Sequence, residues 1–479
     1  MANKIKNKSI SIVLFCIVTL GFCLRLYHLS RPSLWLDEII TVCTIKGSLL
    51  ETVRNLFVSP NPPLYYVLMN LWVKFFGTSE FALRSPSLIF SFLSIIFIFK
   101  LTKELFNEKV GIVSALLLSI WPYSINYAQE ARMYALLWLL GILSFLFFYR
   151  FSRDNKISDL FSYIIFTVLS VYTSYTGWIF IIIQNILFFS FFNAKQSKRW
   201  LLAQLIIILL YLPWIDKLLY NLIQKTGVSW IPKTNNYFRY FVNLFLLITG
   251  ISKCQFGAQT SLLKRIELGL YLFLIISTVI YFKNIRQKRH IFDFTQNDAL
   301  IFAWAIVPIV VYLLFDALVF PILIARYMGF IHIPLIILFS KGLDKYNFKI
   351  KSAILALMLC IIFSAHLLPY YEHNLKISYQ DWRELSLQLH KRISPNALII
   401  TNLPKCIIEY YSQDRNIEII SQSFYAIREK KDVGNQYDSI FIIYVFSNEN
   451  RPVIKELKGY RLKEYNTIGS LGFSWFKKI

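Results

Sequence analysis

Apolar runs long enough to cross a bilayer recur along the chain, and short polar stretches separate them. A helix needs about 20 apolar residues to span the hydrocarbon core. Runs at 9–27, 82–102, 110–127, 133–149, 158–176, 177–193, 200–216, 262–282, 299–319, 322–340 and 352–369 meet that length or come near it. They predict about eleven membrane-spanning helices. Two further apolar stretches are read as helices lying in the interface. The first runs from Pro62-Pro63-Leu64 to Phe76-Gly77 and carries Lys74, and the second covers 238–252.

Charge decides both of those placements. With the two stretches kept out of the spanning set, the basic residues fall on one side of the membrane: Lys4, Lys6 and Lys8, then Lys100, Lys103 and Lys109, then Arg150, Arg153 and Lys156, with the later loops following suit. An excess of Lys and Arg marks cytoplasmic loops. The N-terminus is therefore expected inside. The first loop (28–81), the 128–132 loop, the 216–261 loop and everything from about 370 are expected outside. Arg25-Leu26-Tyr27-His28 stands where a small-residue cleavage site would follow a signal peptide, so the first run reads as an uncleaved span.

From about 370 the pattern changes. Trp382, Leu385, Leu389 and Ile393 recur at helical spacing, and Ala397-Leu398-Ile399-Ile400-Thr401 reads as a buried strand. Ile407 to Tyr411 looks helical, and Ile417 to Ile420 and Ser439 to Phe446 read as strands. The expected division is a transmembrane domain over 1–369 and a small extracytoplasmic α/β domain over 370–479.

Composition agrees with a polytopic helical membrane protein. The chain is 56% hydrophobic and 16% charged, against about 45–50% and 25% in soluble domains. A net charge of +24 would suit a nucleic-acid ligand. The cations are spread through short loops, so they read as a topology signal and a nucleic-acid partner is excluded. The six cysteines show neither metal-ligand spacing nor a disulfide framework.

Candidate chemistry gathers at the outer ends of the spans. Asp37 and Glu38 follow the first span in Ser33-Leu34-Trp35-Leu36-Asp37-Glu38. A carboxylate at the membrane boundary is a candidate proton acceptor, while the plainer reading makes the pair a helix cap. Glu130 and Arg132 lie in the second outer loop, within Ile125-Asn126-Tyr127-Ala128-Gln129-Glu130-Ala131-Arg132-Met133-Tyr134. They too could assist chemistry or cap the next helix. Arg84 and Arg326, the latter about one turn into the tenth span, could clamp a phosphate or snorkel. Tyr327 adjoins Arg326, and Tyr172-Thr173-Ser174-Tyr175 with Trp178 offers hydroxyls and an aromatic plane. Arg25, Lys264, Arg265, Glu267, Asp316 and His366 complete the ionisable set, which is costly inside a membrane and suggests a polar cavity open to the outside.

The ordered set Leu34-Trp35-Leu36-Asp37-Glu38, Asn61-Pro62-Pro63-Leu64-Tyr65-Tyr66, Phe81-Ala82-Leu83-Arg84 and Tyr127 through Ala135 resembles the bacterial glycosyltransferase family 39 proteins. These are relatives of the protein O-mannosyltransferases and of the lipid A aminoarabinose transferase. Tyr211-Leu212-Pro213-Trp214 and Ala325-Arg326-Tyr327 through Pro334 extend the resemblance to about residue 340. It implies a GT-C architecture and a polyprenyl-phosphate-linked sugar as donor. It further implies transfer of a hexose or pentose, with inversion, to a lipid, glycan or protein acceptor in the cell envelope, at the outer face of the inner membrane. By that resemblance Asp37 is the catalytic acid of the first loop and Glu130 that of the second. Arg326 stands where the family places a basic residue near the lipid phosphate. The expected holders of the donor phosphate are Arg84 and Arg326, with Glu38, Arg132, Tyr175 and Tyr327 as candidate supporting residues. Many relatives carry His where this chain has Ser174. No cofactor is required by the reading, and a divalent metal is its one optional helper. A transporter or flippase of a lipid-linked sugar is the alternative, and it would more often place a carboxylate at the membrane midplane.

Overall fold

The computed structural model describes residues 2–191, 194–228, 231, 295–324, 326–362, 380–394, 396–401, 403–411, 418–421, 436–445, 456–468 and 471–479. The expected span 262–282, the interfacial stretch 238–252, Lys264, Arg265, Glu267, His366 and Cys254 lie outside the described residues. The chain forms two compact units. One comprises Met1–Leu29, Gly47–Gly77 and Phe81–Tyr370, and the other comprises Ser30–Lys46, Thr78–Glu80 and Tyr371–Ile479.

The first unit is helical. Its main helices are Ala2–Leu26, Leu49–Val58, Leu64–Phe76, Glu80–Leu105, Glu108–Ile120, Pro122–Ala128, Tyr134–Asp154, Ile157–Thr173, Gly177–Phe191, Ala194–Tyr211, Ile215–Gln224, Gln296–Leu318, His332–Asp344 and Phe348–Ile361. Among the described residues four segments, Glu80–Leu105, Tyr134–Asp154, Gln196–Gln224 and Gln296–Leu318, are long and apolar enough to cross a membrane, and a bent pair counts as a fifth if its two helices form one span. Helix starts follow the capping residues. Ser48 accepts from the Glu51 amide while Glu51 accepts from the Ser48 amide, and Thr295 and Asp298 repeat the arrangement. Asn107 caps Glu108–Ile120 by accepting from the Val110 amide. Buried polar side chains join neighbouring helices: Ser144 bonds Thr167 at 2.8 Å and receives Gln184 at 2.8 Å.

The expected span 110–127 is broken. Glu108–Ile120 and Pro122–Ala128 meet at 58°. Proline has no N–H for the carbonyl four residues back, so Pro122 leaves Leu118 O without its helical donor. Arg25 supplies one. This fully buried guanidinium donates to Leu118 O and Ser119 O at 2.9 and 2.7 Å, and to Gly21 O, Ser91 Oγ and Ser124 Oγ. Arg25 thus braces the helix break. The expected tenth span, 322–340, also begins later than the hydrophobic run. Asp316 Oδ1 accepts from the amides of Ile322 and Leu323, and regular helix resumes only at Gly329–Ile331 and His332. Arg326 therefore sits in irregular chain ahead of the helix.

The second unit carries a five-stranded mixed sheet in the order β2-β1-β3-β5-β4. The strands are β1 Ala397–Thr401, β2 Glu418–Ser421, β3 Ser439–Val445, β4 Tyr460–Ile468 and β5 Leu471–Lys478. β1 pairs in parallel with β2 and β3, and β5 is antiparallel to both β3 and β4. One face buries Leu398, Ile400, Ile440, Ile442, Tyr444 and Phe476. Helices Trp382–His390 and Lys405–Tyr411 belong to this unit, as does the short helix Leu36–Ile45. A disulfide joins Cys43 to Cys406, a pairing that the cysteine spacing did not indicate. The two lie 363 positions apart, so no local spacing could announce them.

Candidate functional site

The candidate residues divide between the two units, and each group has its own architecture. In the second unit Asp37 and Glu38 occupy the first turn of helix Leu36–Ile45. Acidic residues favour that position because the N-terminal amides carry partial positive charge. Glu38 is fully buried, and its Oε2 accepts from the Trp35 amide at 3.1 Å. It serves as the helix cap. Asp37 stays half-buried in the same turn.

Residues far along the chain hold the approach to this helix. The Leu34 amide donates to Tyr411 Oη and the Leu36 amide to Gln380 Oε1, each at 2.7 Å. Ser33 Oγ donates to Gln380 O at 2.9 Å. The Tyr411 hydroxyl donates to Glu80 Oε1 at 2.8 Å, and Arg383 pairs with the same carboxylate. Burial and the nearby Glu80 push the Tyr411 hydroxyl well above the usual tyrosine range, so it stays protonated. Sequence reading missed Gln380 and Tyr411 as partners of this helix. Their only local signal was their place in a helical stretch and at its approach.

In the first unit the helix break sets the stage. Pro122–Ala128 and the turn after it carry Tyr123, Asn126, Tyr127, Glu130 and Arg132. Asn126 Nδ2 donates to Glu130 Oε1 at 3.3 Å. Arg132 is 6% exposed and donates to Tyr66 Oη at 3.2 Å. Glu130, Tyr134 and Arg326 all act electrostatically on Tyr123. The structure therefore brings Glu130 and Arg326 to one neighbourhood. Its floor is aromatic: Tyr123 stacks on Trp138 with centroids 5.6 Å apart, and Tyr127 packs on Tyr134 at 4.9 Å. Gly329 is required beneath it, since a Cβ there would stand 2.6 Å from Tyr123 Oη.

The other expected residues have identifiable surroundings. Arg84 is 3% exposed and donates Nη1 to Leu29 O at 2.9 Å. The Arg326 guanidinium lies 6.0 Å from the Tyr327 ring, and Tyr327 O accepts from Tyr312 Oη at 3.0 Å. Tyr175 Oη accepts from Asn221 Nδ2 at 2.8 Å, and the same Nδ2 reaches Pro60 O at 3.3 Å. That junction gathers the Tyr-Thr-Ser-Tyr turn, helix Ile215–Gln224 and the chain before Asn61-Pro62-Pro63. Ser174 Oγ, at the position where histidine was expected in relatives, accepts from the Thr176 amide at 3.3 Å. Among the described residues no cluster of three or more His, Cys, Asp or Glu is arranged to hold a metal ion.

Comparison with solved structures decides the architecture. ArnT from Cupriavidus metallidurans bound to undecaprenyl phosphate superposes with a TM-score of 0.58 at 11% identity, over 96% of this chain and 97% of that one. The chain has the GT-C fold. The same ArnT in its apo state gives 0.59. A second GT-C match is the oligosaccharyltransferase AglB from Archaeoglobus fulgidus, in complex with an inhibitory peptide and a dolichol-phosphate. It aligns at 0.54 and 13% identity over 91% of this chain and 69% of its own. Residues 60–215 match the model of the dolichyl-phosphate-mannose-protein mannosyltransferase family, within the helical part of the GT-C fold. No curated protein matches the sequence.

Proposed function

We propose that this chain is an integral membrane glycosyltransferase that moves a sugar from a polyprenyl-phosphate-linked donor to an extracytoplasmic acceptor, with inversion at the anomeric carbon. The observation that carries the reading is a GT-C fold extending over nearly the whole chain, with an acid in the first turn of the helix that follows the first span. ArnT binds undecaprenyl phosphate and AglB a dolichol-phosphate, which supports a lipid phosphate as the leaving group here. The charge pattern supports a cytoplasmic N-terminus, with the site and the C-terminal domain outside.

In this scheme Asp37 takes the proton from the acceptor hydroxyl as its oxygen attacks the anomeric carbon. The bond from that carbon to the phosphate oxygen breaks, and the phosphate leaves with the electron pair. A phosphate monoester is already a good leaving group, so electrostatic holding replaces a strong general acid. Arg326, half-buried and sharing an electrostatic neighbour with Glu130 in Tyr123, is the principal phosphate contact, and Arg84 is the second. Glu130 helps to orient the acceptor. Purified wild-type protein should release labelled sugar from a polyprenyl-phosphate sugar, and Asp37→Asn should lower turnover by at least about a hundredfold while remaining folded. Near-normal turnover by the variant would remove Asp37 from the mechanism. Lipid translocation without bond cleavage would replace the transferase by a flippase.

A further inference from the structure

Three consecutive backbone amides lead into the helix that bears Asp37, and a side chain satisfies each of them. Leu34 N–H goes to Tyr411 Oη, Trp35 N–H to Glu38 Oε2 and Leu36 N–H to Gln380 Oε1, at 2.7, 3.1 and 2.7 Å. Two of the three acceptors come from the C-terminal segment. Ser33 Oγ adds a reciprocal contact by donating to Gln380 O and accepting from the Trp382 amide at 3.2 Å. Tyr411 cannot swing away cheaply, because its hydroxyl also donates to Glu80. At the far end of the helix, Cys43 is bonded to Cys406 in helix Lys405–Tyr411. Cys43 is six residues beyond Asp37, which places the two about 120° apart around a helix. The anchor thus lies away from the face that carries Asp37.

We infer that the C-terminal domain is a positioning device for Asp37, with Gln380, Tyr411 and the Cys43–Cys406 disulfide as its positioning residues. The inference rests on the transferase reading for the chemistry that Asp37 performs. The clamp itself holds whatever that chemistry is. A ten-residue helix has little stability of its own. Held at one end by two hydrogen bonds and at the other by a covalent bond, it presents its carboxylate at a set place and angle. The device also needs an oxidising compartment. A dithiol reagent passes two electrons to the disulfide, giving two cysteine thiols and one oxidised reagent.

The test uses the full-length protein in detergent micelles. Hydrogen exchange is followed over the peptide containing Leu34–Ile45 in wild type, in wild type treated with a dithiol, and in Cys43→Ser/Cys406→Ser, Gln380→Ala and Gln380→Glu. Sugar transfer is measured on the same samples. Exchange should speed up tenfold or more on reduction, in the double serine variant and in Gln380→Ala. Gln380→Glu still offers an acceptor to the Leu36 amide and should stay protected. kcat should fall between about ten- and a hundredfold in the exchanging samples with donor KM unchanged, as expected when a catalytic group is misplaced rather than a binding site lost. Unchanged exchange in these samples would overturn the clamp. Faster exchange with unchanged kcat would overturn its positioning role. A wild type that transfers no sugar would overturn the transferase reading, while the exchange data would still decide the clamp.

Discussion

Asp37 and Glu38 are neighbours in sequence with separate tasks in the structure. Glu38 spends its carboxylate on the Trp35 amide and is sealed from solvent, while Asp37 remains half-buried. The pair was legible as a candidate site, but the division between its members was not, because it depends on which side chain turns back toward the helix start. Arg25 makes a similar point. In the sequence it was one of several ionisable residues in apolar surroundings. Its five bonds to carbonyls and hydroxyls assign it to the break at Pro122. Replacing Arg25 by Leu should strip the Leu118 and Ser119 carbonyls of buried donors at a cost of about 2–5 kcal/mol. A lowered unfolding midpoint in detergent, with Arg25→Lys in between, is the expected result. A variant as stable as wild type would mean that the break needs no brace.

At the scale of elements, the apolar pattern marked several of the helices described in the first unit, Glu80–Leu105, Tyr134–Asp154 and Gln296–Leu318 among them. It failed where a local bond overrides hydrophobicity. Asp316 draws two amides out of helical register ahead of Arg326, and Pro122 splits one run into two helices. In the second unit β1 and the strand over Ser439–Val445 were legible as apolar runs. The hairpin of β4 and β5 was missed, since Arg461, Lys463 and Glu464 interrupt its apolar pattern. The turn between Ile157–Thr173 and Gly177–Phe191 provides a sharp test. A Cβ on Gly177 would sit 2.7 Å from the backbone carbonyl of Ser170, which cannot rotate away. Gly177→Ala should therefore cost about 1–3 kcal/mol and should loosen the Tyr175–Asn221 junction. An unfolding midpoint equal to that of wild type would show that the turn has room to spare.

At the scale of the whole molecule, a helical part with several apolar helices and a small C-terminal sheet domain were open to inspection, because both leave their mark in hydropathy. The link from Leu36–Ile45 to the C-terminal domain was hidden, since contacts between residues more than three hundred positions apart leave no local pattern. Orientation can be tested directly. Single cysteines placed at Lys109 or Lys156 in a cysteine-free background should react with a membrane-impermeant thiol reagent only after the cells are opened. One placed at Arg31 should react in intact cells. The reverse labelling would invert the topology that positive-inside charge implies.

The bond between Cys43 and Cys406 also imposes an order on biogenesis. Its partners are separated by 363 positions, and at about 5–20 residues per second the first cysteine is synthesised roughly 20–70 s before the second. For that interval the helix bearing Asp37 has no covalent anchor, and Cys43 is a thiol awaiting its partner. A nascent or truncated polypeptide therefore lacks the last constraint on its own chemistry. The anchoring of this helix is timed to the synthesis of the segment that carries Cys406, and a pulse-chase with thiol alkylation would record that moment as the loss of two modifiable cysteines.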